Sequence, residues 1–254
     1  MKKRMQPHIM CGVGDVAKYV LLPGDPRRVE RIAAQFDESR KVADYRGFIT
    51  YTGKVDGVGI TACSTGIGSP STAIVAEELT RIGAETLIRV GTTGALQPGI
   101  EVGDIIVATA AVRADGASRA YMPVEYPAVA DFDVVSALLR SADERGRKVR
   151  HGIVLSSDSF YAGSEEEAAR LGGGNVLSVE MEASTLFTLA SVKKLRAGAI
   201  LAVDGNLVMG AKKGEFEPSE RGGELDDRVK KAIEDEIGIA IGAVKLLERG
   251  HPLS

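Results

Sequence analysis

Five short runs of this chain, 19–22, 86–90, 104–109, 153–156 and 199–203, are dominated by apolar residues, and segments of helical period stand between them. A strand that is apolar along its whole length must be covered on both faces, which a sheet with one wet face does not do. Strands of this kind alternating with helices imply an α/β fold, a central mixed, mainly parallel sheet flanked by helices. The 254 residues suffice for one large core, and no linker, repeat or low-complexity tract divides them. Residues 1–254 therefore read as a single domain.

The boundaries follow from local chemistry. Residues 28–35 read as a helix, and 48–64 as two strands around the hairpin turn Val55-Asp56-Gly57. Ser69-Pro70 opens a helix with Ala73, Ile74, Ala76, Leu79 and Ile82 on one face, and Gly83 ends it. Asp131 starts and Gly146 stops another helix. Residues 183–194 and the amphipathic segment 226–247 complete the set, while 111–130 and 210–225 are the longest irregular stretches, of the kind that covers sites.

Composition excludes several functions. The net charge is −3, and the basic residues form no stripe, so nucleic acid is not an expected partner. No apolar run reaches the length of a membrane span or follows the N-terminal basic residues as a signal peptide would, which makes the cytoplasm the expected location. Cys11 and Cys63 form no disulfide framework and no zinc spacing, and Cys63 reads as a core residue. No His/Cys/Asp cluster suggests a metal, and neither Gly-x-Ser-x-Gly nor Gly-x-Gly-x-x-Gly occurs at a fitting position.

Chemistry concentrates at the strand ends. In Arg89-Val90-Gly91-Thr92-Thr93-Gly94-Ala95 an apolar strand meets an arginine and then small, Gly-punctuated residues, which read as a turn. Glycines permit close approach of a ligand, hydroxyls and amides donate to an anion, and a guanidinium adds a forked charge suited to phosphate. Leu22-Pro23-Gly24-Asp25-Pro26-Arg27-Arg28 is a second such turn, although it also fits a surface turn whose Arg28 pairs with Glu30 or Glu38. Arg46 fits a solvated strand end. Glu180-Met181-Glu182 places two carboxylates at a strand-to-helix junction, where they cap a helix, bind vicinal hydroxyls or transfer protons. Asp204, after the run 199–203, is either a proton donor at a strand end or the first residue of an Asp-Gly turn. Phe160 and Tyr161 fit an aromatic wall or ordinary core, and His8, His151 and His251 fit the surface.

In this order and spacing, Pro7-His8-Ile9, Pro23-Gly24-Asp25-Pro26-Arg27-Arg28, Ser64-Thr65-Gly66-Ile67-Gly68, residues 89–95, Ser156-Ser157-Asp158-Ser159-Phe160-Tyr161 and Val179-Glu180-Met181-Glu182 resemble the nucleoside phosphorylases of the uridine phosphorylase and hexameric purine nucleoside phosphorylase family. The resemblance implies reversible phosphorolysis of a nucleoside to free base and ribose 1-phosphate, with phosphate as co-substrate and no cofactor or metal. It implies that Gly24, Arg28, Arg89 and Thr92 hold phosphate, with Arg46 reaching the phosphate of a neighbouring subunit. His8 would reach a neighbour's ribose, Met181 and Glu182 would bind the ribose, and Phe160, Val179 and Asp204 would contact the base. Sharing residues between subunits implies a homo-oligomer, in this family a hexamer built as a trimer of dimers.

The base is read by a few residues. Asp115-Gly116-Ala117-Ser118 and residues 127–132 are similar to uridine phosphorylase. That enzyme reads uracil with a Gln and an Arg just after its Phe-Tyr motif, where this chain has Ser164 and Glu166. A hydroxyl and a carboxylate cannot make the contacts of an amide and a cation. Val203-Asp204-Gly205 resembles the purine branch, whose Asp assists N7 of the leaving purine, and Arg221 is a candidate partner for it. A purine nucleoside such as inosine or guanosine is the favoured expectation, uridine the alternative. A hydrolytic nucleosidase on the same scaffold needs no phosphate arginines, so Arg28, Arg46 and Arg89 argue against it.

Overall fold

The computed structural model describes residues 4–209 and 226–250. In chain order the elements are β1 (Tyr19–Leu22), α1 (Pro26–Ala33), β2 (Glu38–Tyr45), β3 (Phe48–Val55), β4 (Val58–Cys63), α2 (Ser69–Arg81), β5 (Thr86–Ala95) and β6 (Ile105–Ala114). They continue with α3 (Ala117–Tyr121), β7 (Ala128–Val129), α4 (Phe132–Glu144), β8 (Arg150–Ser157), α5 (Glu165–Gly173), β9 (Val176–Glu180), α6 (Ala183–Lys193), β10 (Arg196–Asn206) and α7 (Asp227–Arg249).

The strands form one mixed sheet in the order β10-β6-β8-β9-β5-β1-β4-β3-β2, with β7 on β6. Strand β10 also pairs with β5, which closes β10-β6-β8-β9-β5 into a ring and leaves β1, β4, β3 and β2 as an extension from it. β4, β1, β5 and β10 run parallel, as do β6, β8 and β9, and antiparallel pairs occur in the β2-β3-β4 meander and where β10 meets β6 and β9 meets β5. Strands β1 and β5 are buried almost throughout, and so is the first half of α6. A helix buried on all sides needs an apolar or small residue at each position, which Ala183-Ser184-Thr185-Leu186-Phe187 provides.

Asp131 caps α4 as read, accepting from the Val134 amide, while Asp25 caps α1 through the Arg27 amide, so that α1 opens at Pro26, ahead of the expected residue 28. Asp56 and Gly57 both take positive φ, 50° and 79°, as a two-residue hairpin with the right-handed twist requires. Cys11 and Cys63 are buried free thiols, and burial pushes the Cys63 thiol up to about 12.

Four expectations need correction. Residues 89–95 are not a turn: β5 runs through Gly91 and Gly94 to Ala95, paired to β10 along its length. Asp204-Gly205 is not a turn either, because β10 continues to Asn206 with an irregularity between Val203 and Gly205. Ile74 is exposed, since the buried face of α2 is set by Ala73, Val75, Ala76 and Leu79. Finally, 111–130 is not irregular but holds the end of β6, α3 and β7, bound together by Arg113, which donates to Ser118 Oγ and to the carbonyls of Met122, Pro123 and Tyr126. The segment 210–225, with Arg221, and His251 lie outside the described residues.

Candidate active site

The residues of interest collect where β1, β5, β9 and β10 end. Leu22 is paired with Arg89, and Ala199 is paired with Arg89 from the other side, so the loop after β1, the second half of β5 and the end of β10 lie side by side. The loop after β4 joins them, because the Thr65 amide donates to the Pro23 carbonyl. Gly24 leaves little room for a side chain: a Cβ there would stand 3.2 Å from the Gly66 carbonyl, which would have to give way, and 3.9 Å from Arg89 Nη1.

Arg89 is the centre of this cluster and is 6% exposed. Its Nε donates to Glu180 Oε2 at 2.9 Å, and its Nη2 forms an ion pair with Glu182. Burial lowers its pKa, but Glu182 and Glu180 outweigh that and raise it. Gly91 makes this fold-back possible, since a Cβ there would lie 2.8 Å from Arg89 Cζ. The third nitrogen, Nη1, is buried and has no hydrogen-bond partner among the described residues.

The two carboxylates divide their work differently from a simple cap. Glu180, not Glu182, binds the open end of α6, accepting from the amides of Glu182 and Ala183. Glu182 reaches across to α2, whose cap position is Gly68 with no side chain of its own, and accepts from the Gly68 amide at 2.6 Å. A carboxylate at a helix N-terminus is stabilised by the unsatisfied amides and the helix dipole. The Met181 amide also donates to Glu182, and the Met181 carbonyl accepts from Ser69 Oγ. Val179 is half-buried in β9 opposite Gly94, and its carbonyl accepts from Thr93 Oγ1.

Arg28 is not a surface residue paired with Glu30 or Glu38. It is buried in α1, and its Nη1 lies 3.2 Å from both the Val90 carbonyl and Glu236 Oε1. Glu236, on α7, is fully buried and went unnoticed in the sequence. Its signal was present: it occupies the apolar stripe formed by Ala232, Ile233, Ile237, Ile239 and Ala240. Burial pushes its pKa up to about 8, with Arg28 and Arg89 acting against that and Asp204 adding to it. Asp204 itself is buried at the irregularity of β10. Thr92, paired with Ala202, is half-buried.

Other candidates stand apart from this cluster. Arg46 is exposed at the tip of the β2–β3 hairpin with φ of 55°, its guanidinium 5.8 Å from the Tyr45 ring centre. His8 is held by Glu78 of α2, which accepts from the His8 and Ile9 amides and lies 2.6 Å from the His8 ring Nδ1. Phe160 and Tyr161 are not core: they are 54% and 95% exposed and meet edge to face. Ser164 caps α5 by accepting from the Glu167 amide, and Glu166 lies in the first turn of that helix. No group of three or more metal-binding side chains occurs among the described residues.

The phosphorylase superfamily model matches residues 18–240. The chain is 52% identical over 217 residues to a uridine phosphorylase of Thermococcus kodakarensis, covering 80% of this chain and 78% of that one. It is 46% identical over 242 residues to a guanosine phosphorylase of Halorubrum lacusprofundi, covering 95% and 99%, and 44% identical over 204 residues to the Escherichia coli uridine phosphorylase, covering 74% and 79%. The chain thus belongs to the phosphorylase superfamily, as an enzyme of its nucleoside phosphorylase family, a pentosyltransferase.

Proposed function

We propose that this enzyme cleaves purine nucleosides, guanosine or inosine, by phosphorolysis. The observation that carries the phosphate half is the buried Arg89 Nη1 with no hydrogen-bond partner among the described residues, beside the side-chain-free Gly24. An unpaired buried donor of this kind costs on the order of 1–3 kcal/mol or more and is stabilised by an arriving anion. Gly24, Arg28, Arg89 and Thr92 then hold phosphate, with Arg46 supplied by a neighbouring subunit. Glu182, its position fixed by Gly68 and Arg89, uses its remaining lone pairs to accept the ribose hydroxyls beside Met181. His8 of a neighbour closes the ribose end, and Phe160 and Val179 face the base. A homo-oligomer, as a trimer of dimers, accounts for Arg46 and His8 lying away from the cluster.

In the reaction a phosphate oxygen forms a bond to C1′ as the C1′–N9 bond breaks, and the bonding pair leaves with the purine. The sugar passes through an oxocarbenium-like state, which needs a positioned dianion and assistance to the leaving group rather than a strong protein nucleophile. Asp204 hydrogen-bonds to N7 and delivers a proton there. Ser164 and Glu166, used in the opening of α5, offer no amide and no cation to uracil. The guanosine phosphorylase of Halorubrum lacusprofundi, similar along almost its whole length, supports the same choice. Uridine remains the second reading because relatives such as those of Thermococcus kodakarensis and Treponema pallidum are uridine phosphorylases.

Initial rates with guanosine, inosine and uridine decide the base. The purines are expected to be faster, and Asp204→Asn to cut purine turnover about a hundredfold or more with a small change in the phosphate KM. Faster uridine cleavage, or purine turnover unaffected by Asp204→Asn, removes Asp204 from the chemistry.

A further inference from the structure

We propose that Glu236 positions Arg28 for phosphate and takes up a proton as the phosphate dianion enters. The inference rests on the phosphate site described above. Glu236 belongs to the last helix and is fully buried, yet one of its oxygens, Oε2, has no hydrogen-bond partner among the described residues. The other faces Arg28 Nη1, which is shared with the Val90 carbonyl. The groups around it are Arg28 from α1, Arg89 from β5, and Asp204 with the Ala202 amide from β10.

The charge arrangement gives this carboxyl a task. Arg28 and Arg89 together face Glu180, Glu182, Glu236 and Asp204. With Asp204 carrying the proton it gives to N7 and Arg46 supplied by a neighbour, a phosphate dianion added to three cations and to Glu180, Glu182 and Glu236 all ionised leaves excess negative charge in a low-dielectric site, which a neutral carboxyl among those three relieves. Glu180 accepts from Arg89 Nε, Ser156 Oγ and the amides of Glu182 and Ala183, although burial raises its pKa, and Glu182 accepts from the Gly68 and Met181 amides and pairs with Arg89. Glu236, by contrast, has one guanidinium shared with the Val90 carbonyl and an oxygen with no hydrogen-bond partner among the described residues, so fewer donors hold its charge than hold that of Glu180. Burial acts in the same direction, raising its pKa to about 8 against the pull of Arg28. When Arg28 turns its charge to phosphate that pull weakens, and Glu236 holds its proton more firmly. By linkage, the protonated enzyme binds phosphate more tightly.

The test is the phosphate KM of wild type and Glu236→Gln between about pH 7 and 9. Wild type is expected to show a KM for phosphate that climbs above about pH 8, approaching tenfold per pH unit. Glu236→Gln, permanently neutral, is expected to lose that climb, with the difference on the phosphate KM and not on the nucleoside KM. Parallel profiles overturn the proposal, because a purely structural carboxyl leaves the pH dependence unmoved. Should the variant not fold, calorimetry of phosphate binding to wild type in two buffers of different ionisation heat gives the answer directly. At a pH where phosphate is already a dianion, proton uptake supports the proposal and its absence overturns it. Base release that ignores phosphate altogether would instead overturn the phosphorylase reading, and this inference with it.

Discussion

Arg89 is held through Nε and Nη2 by carboxylates that lie some ninety residues further along the chain, at Glu180 and Glu182. This divided binding decides what substitution does. Arg89→Ala leaves two buried carboxylates without their cation, a loss on the order of 3–5 kcal/mol, so it is expected to destabilise the fold as well as the site. Arg89→Lys keeps the charge and loses the fork, and is expected to raise the phosphate KM roughly ten- to a hundredfold with a much smaller change in stability. Thermal unfolding and phosphate titrations of both variants separate the two effects; a nucleoside KM that moves in place of the phosphate KM would reassign Arg89. The residue itself was legible because an arginine ending an apolar strand needs a partner. Its partners were not, since nothing in local sequence links Glu180 to residue 89. Glu182 was legible as a carboxylate of interest, but its bond to Gly68 depends on α2 and β9 meeting in space.

At the level of elements, those with an apolar face were readable and those without one were not. Strand β1, the β3–β4 hairpin, α2 and α4 each bury a face and carry a cap or turn signal. Strand β2, Glu-Ser-Arg-Lys-Val-Ala-Asp-Tyr, lies at the edge of the sheet with one buried residue, and α5 buries none, so neither had a period to read. Strands β5 and β10 run past the glycines that suggested turns, because each is paired with the other and Gly94 lets Leu207 approach where a Cβ would be 2.5 Å away. The terminal helix α7 carries a prediction of its own. Glu236 has its pKa raised by burial from 4.5 to about 8. A folded-state pKa above the unfolded one contributes stability that is full below the unfolded value and is lost as pH rises to the folded one. Relative to Glu236→Gln, wild type is therefore expected to lose stability between about pH 4.5 and 8 and to level off above. Denaturant midpoints that stay parallel across that window would mean that Glu236 is ionised throughout.

For the whole molecule, the sequence pattern conveyed the α/β class and the flanking helices, whereas the ring closed by the β10–β5 pairing depends on long-range register that periodicity does not carry. Among the described residues no helix is long and apolar enough to cross a membrane. The exposed Arg46 and the half-exposed His8 lie away from the Arg89 cluster, as the proposed sharing of the site between subunits requires. Arg46→Ala and Asp204→Asn subunits, each nearly inactive alone, are then expected to regain activity when unfolded and refolded together, since a mixed assembly contains sites with neither lesion. A mixture no more active than its parts would place Arg46 outside catalysis or within its own subunit's site.

The central claim, that Arg28 and Arg89 hold phosphate for attack on a nucleoside, is tested most directly by product analysis of guanosine cleavage with and without inorganic phosphate. The arrangement of these residues predicts guanine and ribose 1-phosphate in equal amounts, and essentially no cleavage once phosphate is removed. Free ribose, with base release undiminished in phosphate-free buffer, would contradict it.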